Sequence, residues 1–286
     1  MRENPWLERR VICYAHQGGA IENPSSTLHA IREAIAHGST AIELDVHATA
    51  DRQLVVCHDP TLDRTTNTTG EIARHTLAEL LELDNSYWFV PGEDVQPDRE
   101  PEDYPLRGLA PADHDYGIAT LAEIFELTPG VALNLDIKRT DPEVPGYEHL
   151  LADLIRQHER TDDVIVASFI DGATERFTAY APEIATSAGT LAVAEFYRAI
   201  HAGEQPPEAL QRFVALQVPS RYQDLLVVDE TFVQQAHSAG FAVHPWTIND
   251  REEMERLLDL GVDGIISDVP SLLAEVLEER GTAWRR

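Results

Sequence analysis

Two short segments carry most of the side chains that could do chemistry. "AIELDVHATADRQLVVCHD" (41–59) sets Glu43 and Asp45 two residues apart and ends in His58 and Asp59, and "NLDIK" (134–138) sets Asp136 and Lys138 two apart. Side chains of an extended chain alternate between faces, so Glu43 and Asp45 point one way while Ile42, Leu44 and Val46 point the other. By the same rule Asn134, Asp136 and Lys138 oppose Leu135 and Ile137, His16 shares a face with Tyr14, and His58 shares one with Val56. Three carboxylates brought together repel one another unless a cation neutralises them. Oxygen ligands favour a hard divalent ion, Mg²⁺ or Ca²⁺. Two histidines beside such an ion make an acid–base pair. Singly, each signal has a plainer explanation: a solvated strand face, a core histidine, a turn before Asp59-Pro60, a surface lysine. Aliphatic residues between the carboxylates weigh against the solvated face, and the ordered set at successive strand ends points to a site.

These residues need a scaffold that gathers strand ends. Apolar segments alternate with amphipathic ones: strands near 10–16, 40–46, 131–138, 164–169, 184–189, 214–219, 242–248 and 264–268, with helices near 27–37, 120–127, 147–158, 171–180, 191–201, 229–239, 250–259 and 270–279. Strand–helix alternation means a parallel sheet. Eight such units in 286 residues predict a (β/α)8 TIM barrel whose C-terminal strand ends form the site. A doubly wound open sheet is the alternative, disfavoured because no Gly-rich phosphate loop opens the first helix. The segment 54–59 stands outside the eight. Residues 60–118, with a further short helix near 76–83 and a stretch rich in Pro and acid, read as an insertion after the second strand region. It is expected to border the mouth of the pocket. The whole, 1–286, is expected to be one domain.

Composition narrows the partners. Fifty acidic residues against 22 basic ones give a net charge of −28, which repels nucleic acid and anionic bilayers. The sole lysine is Lys138. No apolar run is long enough to span a membrane, the opening residues hold no secretory apolar segment, and Cys13 and Cys57 read as buried thiols rather than a disulfide. The expected location is cytoplasmic, with no nucleic-acid partner and no stable membrane insertion; the oligomeric state is left open.

The stretch from "AHQGG" through "ENPSSTLHAI", "AIELDVH" and "CHDPTLDRTT", followed by "LNLDIK", "ASF", "PWTIN" and "GVDGIISDVP", resembles the glycerophosphodiester phosphodiesterase family in motif and order over nearly the whole chain. The resemblance implies a TIM barrel with a small insertion, one divalent metal ion, and hydrolysis of glycerophosphodiesters to glycerol phosphate and an alcohol. It implies His16 and His58 as general acid and base, and Glu43, Asp45 and Asp136 as metal ligands. Substrate contacts fall to Gln17, Lys138 and Trp246. The mechanism it implies attacks phosphorus with the substrate's own glycerol hydroxyl, and water then opens the cyclic phosphate. The chain departs from the family pattern at Gln17, where the family has arginine, and at Asp136, where it usually has glutamate. Glu22-Asn23 lies three residues before the family's Glu-Asn position. Two alternatives stand beside the main reading: lysophospholipase D-type action on lysophospholipids, or a barrel that binds phosphodiesters and turns them over weakly. A metal-dependent amidohydrolase would want His-x-His on the first strand, which offers His16 alone.

Overall fold

The computed structural model describes residues 4–97, 99–140 and 143–284. Eight parallel strands form the barrel: β1 Ile12–His16, β2 Ala41–Ala48, β3 Ala132–Ile137, β4 Val164–Ala167, β5 Ala185–Thr186, β6 Ala215–Pro219, β7 Ala242–Trp246 and β8 Gly264–Ser267. Ladders join β8-β1-β2-β3-β4-β5 in one sheet and β6-β7 in a second. Closure comes from a parallel bridge between Ser187 and Ala215, and from Asp263 N–H donating to Val243 O at 2.9 Å and Ile248 N–H to Ile266 O at 3.0 Å. The open-sheet alternative is thereby excluded, and each expected strand and helix has a counterpart within a few residues.

Alternation along the strands sorts the core. Ile42, Leu44 and Val46 of β2 and Leu133, Leu135 and Ile137 of β3 face the surrounding helices. Inside the barrel lies a layer of Ile12, Tyr14, Ala41, Ala132, Ile165 and Ile266, closed at the N-terminal end by Trp6. Trp6 sits on the short helix Pro5–Glu8, whose N-cap Asn4 accepts from Trp6 N–H. Gly264 has a packing reason: a Cβ there would come within 2.9 Å of the Tyr14 ring and 3.1 Å of the His244 ring. Helix starts follow the local chemistry of capping. Thr27 accepts from Ala30 N–H, and Thr120 with Glu123 forms a capping box.

The short strand Leu54–Val56 runs antiparallel to β2, pairing Val46 with Val56. It ends before His58, which lies on the loop beyond it. The insertion folds into short helical turns and a two-stranded ribbon, Phe89–Val90 with Asp94–Val95. Leu62, Ile72, Leu80 and Ile118 pack under it. Cys13 and Cys57 are buried free thiols. Among the described residues no helix is long and apolar enough to cross a membrane.

Candidate active site

Strand register gathers the predicted residues. His16 of β1 lies beside Glu43 of β2; Glu43 lies beside Asn134 of β3, and Asp45 beside Asp136. The hairpin after β2 returns the chain to the same rim, where Cys57 N–H donates to Asp45 O at 3.1 Å and delivers His58. A cavity of about 480 Å³ at this end is lined by His16, Glu43, Asp45, His58, Asp136 and Lys138, with Trp246 across from them.

Both histidines are oriented the same way. His16 Nδ1 lies 2.6 Å from Asp268 Oδ1, and His58 Nδ1 lies 2.6 Å from Asp59 Oδ1. Each carboxylate is itself held: Asn249 donates to Asp268 Oδ2 at 2.8 Å, and Arg64 donates to Asp59 Oδ2 at 3.0 Å. A carboxylate on Nδ1 fixes the imidazole and leaves Nε2 for chemistry. Both carboxyls sit below the usual range. Burial pushes each up, but His58 and Arg64 outweigh it at Asp59, as His16 and Asn249 do at Asp268. His16 is raised to about 9: burial disfavours its charge, and Glu43 with Asp268 more than compensates.

Glu43, Asp45 and Asp136 share the cavity, and a lysine joins two of them. Lys138 Nζ lies 2.8 Å from Asp45 Oδ1 and 2.9 Å from Asp136 Oδ2, so the cation between these two acids is the lysine. Burial works against the lysine's charge, yet the two acids raise its pKa. Burial raises Asp136, with Lys138 opposing; burial and then Asp45 raise Glu43. Among the described residues no three His, Cys, Asp or Glu side chains converge closely enough to hold a metal ion. Like charges brought together need a cation among them, and between Asp45 and Asp136 that cation is Lys138. The donor chemistry nevertheless fits a hard cation. Asp45 Oδ2 and Asp136 Oδ1 are buried without a hydrogen-bond partner, a costly state that an ion would relieve.

The remaining expected residues divide. Trp246 lines the cavity, edge-on to Phe169 at 5.6 Å. Gln17 is 4% exposed and is not among the cavity's lining residues. It adopts a left-handed backbone conformation, φ 52°, and its amide nitrogen lies 3.2 Å from His16 Nε2. Glu22 caps the helix Pro270–Arg280, accepting from the Ser271 hydroxyl and backbone N–H, which accounts for its early position.

The insertion stands beside the cavity rather than in its lining. Among the described residues, none between 60 and 118 lines the cavity. The insertion lies against the loop after β1, with Gly92 N–H donating to Ile21 O at 2.9 Å and Asn85 to Ser25 O at 3.1 Å. Its Arg64 reaches the site by holding Asp59, and Asp94 lies 3.6 Å from Arg64. Sequence reading assigned no role to Asp59, Arg64, Asp268 or Asn249. Asp59 adjoins His58 and was open to notice, whereas Asp268 is 252 residues from His16. Gln217 also went unnoticed; it donates to Asn134 across the cavity at 3.0 Å.

The profile of the glycerophosphoryl diester phosphodiesterase family matches residues 16–272. A glycerophosphodiester phosphodiesterase of Caldanaerobacter subterraneus subsp. tengcongensis is 30% identical, over 95% of this chain and 100% of its own. One from Bacillus subtilis is 28% identical, over 93% and 86%. In three dimensions the chain resembles an Oleispira antarctica phosphodiesterase solved with the product sn-glycerol-3-phosphate, with a TM-score of 0.73, 25% identity, and coverage of 96% and 99% of the two chains.

Proposed function

Since the chain belongs to the glycerophosphoryl diester phosphodiesterase family, we propose that it hydrolyses glycerophosphodiesters to glycerol phosphate and an alcohol, with His16 and His58 as the acid–base pair and one divalent ion, Mg²⁺ or Ca²⁺, as cofactor. The observation that carries this reading is the pair of imidazoles at one cavity, each held at Nδ1 by its own carboxylate.

Glu43, Asp45 and Asp136 are the residues that would hold the ion, and when bound it supplies charge neutralisation for the phosphoryl oxygens. One imidazole takes the proton of the glycerol hydroxyl that attacks phosphorus, and the other protonates the departing alcohol oxygen. Their roles reverse when water opens the cyclic phosphate. Lys138 spends two of its three N–H donors on Asp45 and Asp136; the third serves a phosphate oxygen. Trp246 packs against the organic part of the substrate. Gln17 acts beside His16 rather than as the cation the family arginine supplies.

The test is hydrolysis of glycerophosphocholine, glycerophosphoethanolamine and glycerophosphoglycerol by chelator-treated protein given back Mg²⁺, Ca²⁺ or Mn²⁺. Release of glycerol phosphate and free alcohol only with added metal is expected. Absence of release with every metal would refute the assignment.

A further inference from the structure

The two histidines are secured to different degrees. His16 ends strand β1, and its side chain is 22% exposed. His58 lies on the loop beyond Leu54–Val56, and its side chain is 41% exposed. Packing therefore holds His58 less, and its ring depends on the 2.6 Å contact between Nδ1 and Asp59. Asp59 belongs to the same loop and is itself partly exposed. A carboxylate in such a place orients an imidazole only if something orients the carboxylate.

Arg64 does this, and Arg64 is held in turn. Its Nε donates to Asp59 Oδ2 at 3.0 Å, and its Nη1 forms an ion pair with Asp94 Oδ2 at 3.6 Å. Asp94 comes from the ribbon of the insertion, Phe89–Val90 with Asp94–Val95. It is kept there at a cost. Its backbone is left-handed, φ 68°, and its Oδ1 is buried without a hydrogen-bond partner among the described residues. Burial pushes its carboxyl up, with Arg64 opposing. An unsatisfied buried carboxylate destabilises the fold, so folding alone does not explain it. The ribbon also reaches the support of the other histidine: Gly92 N–H donates to Ile21 O at 2.9 Å, and Ile21 N–H to Asp268 O at 3.3 Å. No described residue of the ribbon lines the cavity, so its influence on the chemistry passes through these contacts.

We infer that Asp94 is a positioning residue for His58: it pins Arg64, Arg64 pins Asp59, and Asp59 holds the imidazole with Nε2 free for the cavity. The consequence for catalysis rests on the reading of His58 as one of the acid–base pair. The guanidinium is a rigid planar fork. With Nε on Asp59 and Nη1 facing Asp94 it cannot swing into solvent. Without the Asp94 charge Arg64 is free to leave, Asp59 is free to rotate, and the imidazole samples orientations from which it cannot reach the substrate. Proton transfer needs a ring nitrogen within hydrogen-bond reach, so the loss falls on turnover and leaves binding alone. The insertion is thereby a brace for the acid–base pair.

Two variants remove the charge and keep a residue that tolerates the left-handed backbone: Asp94→Asn and Asp94→Gly. Both should lower kcat on glycerophosphocholine by about tenfold, with KM within about twofold of wild type and the metal-induced rise in Tm intact. In a His58→Ala background Asp94→Asn should cost nothing further. Nitrogen NMR of the histidine rings reads the positioning itself. With the ring neutral, wild-type His58 should show one protonated and one bare nitrogen at well-separated shifts, and Asp94→Asn should draw the two together as tautomers mix. If glycerophosphocholine is cleaved and both variants keep wild-type kcat, or raise KM instead, the inference is refuted and the hydrolase reading stands. A loss that persists undiminished in the His58→Ala background refutes it equally. If nothing is cleaved, the hydrolase reading falls, and the nitrogen shifts decide the hold on His58 by themselves: convergence in the Asn variant supports it, and unchanged shifts overturn it.

Discussion

The two sides of the cavity follow opposite rules. On the side of β1 to β3 every lining side chain is charged, an imidazole or an amide, and most are held by a named partner: His16 by Asp268, His58 by Asp59, Asp45 and Asp136 by Lys138, Asn134 by Gln217. On the side of β4 to β6 the wall is largely hydrocarbon, from Ala167 to Pro219. Buried charges are stable only when paired, so each polar residue depends on particular neighbours. Hydrophobic contact scales with area and is shared among many groups. The polar side should therefore fail at single substitutions, and the apolar side should yield gradually.

The sharpest break is expected at Asp45. Asp45→Ala should abolish turnover and also the rise in Tm on adding Mg²⁺ or Ca²⁺, because it removes a ligand and one of the two carboxylates paired with Lys138. A variant that keeps both would remove Asp45 from the metal site. Next is Lys138→Met, which removes the chain's sole lysine and leaves Asp45 and Asp136 unbalanced. It should cost on the order of 3 kcal/mol in transition-state stabilisation, read from kcat/KM; a change below about threefold would place phosphate recognition elsewhere.

A polar group beneath the cavity sharpens the comparison. His244, buried inside the barrel near Tyr14, has an unpartnered Nε2. Burial lowers its pKa from 6.5 to about 4. The unfolded chain thus binds a proton between those values that the folded chain refuses. Stability from this group is full above pH 6.5 and falls as pH drops toward 4, by on the order of 3 kcal/mol in all. Urea unfolding of wild type and His244→Gln at neutral and acid pH should show a shallower pH slope in the variant. Equal slopes would contradict the assignment. The smallest effect belongs to the apolar wall: Val193→Ala should change glycerophosphocholine kcat/KM by less than about threefold. A loss as large as that of Lys138→Met would erase the distinction between the sides.

The same contrast explains what the sequence disclosed. A carboxylate on a buried strand conflicts with burial, so Glu43, Asp45 and Asp136 stand out against Ile42, Leu44, Leu135 and Ile137 without any structure. The eight strands were legible because their alternation with amphipathic helices repeats along the chain. The exposed apolar residues were not, because Phe169, Leu191 and Tyr222 are of the same types as core residues, and exposure is a tertiary property. The Lys138 bridge was missed because strand register, not spacing, sets Asp45 beside Asp136. Where the insertion packs was not legible, because its point of departure does not fix its contacts; those with Ile21 and Ser25 set it beside the loop after β1.

The central claim is that His16 and His58 act as one acid–base unit at a cation-assisted site. The most direct measurement is kcat for His16→Ala, His58→Ala and the double variant on glycerophosphocholine, with metal-induced thermal stabilisation followed in parallel. Each single variant should lose on the order of 10²–10⁴ in kcat while keeping its response to metal, and the double variant should fall little further than the worse single one. Near-normal turnover in either single variant, or a double variant that multiplies the two losses, would contradict the account.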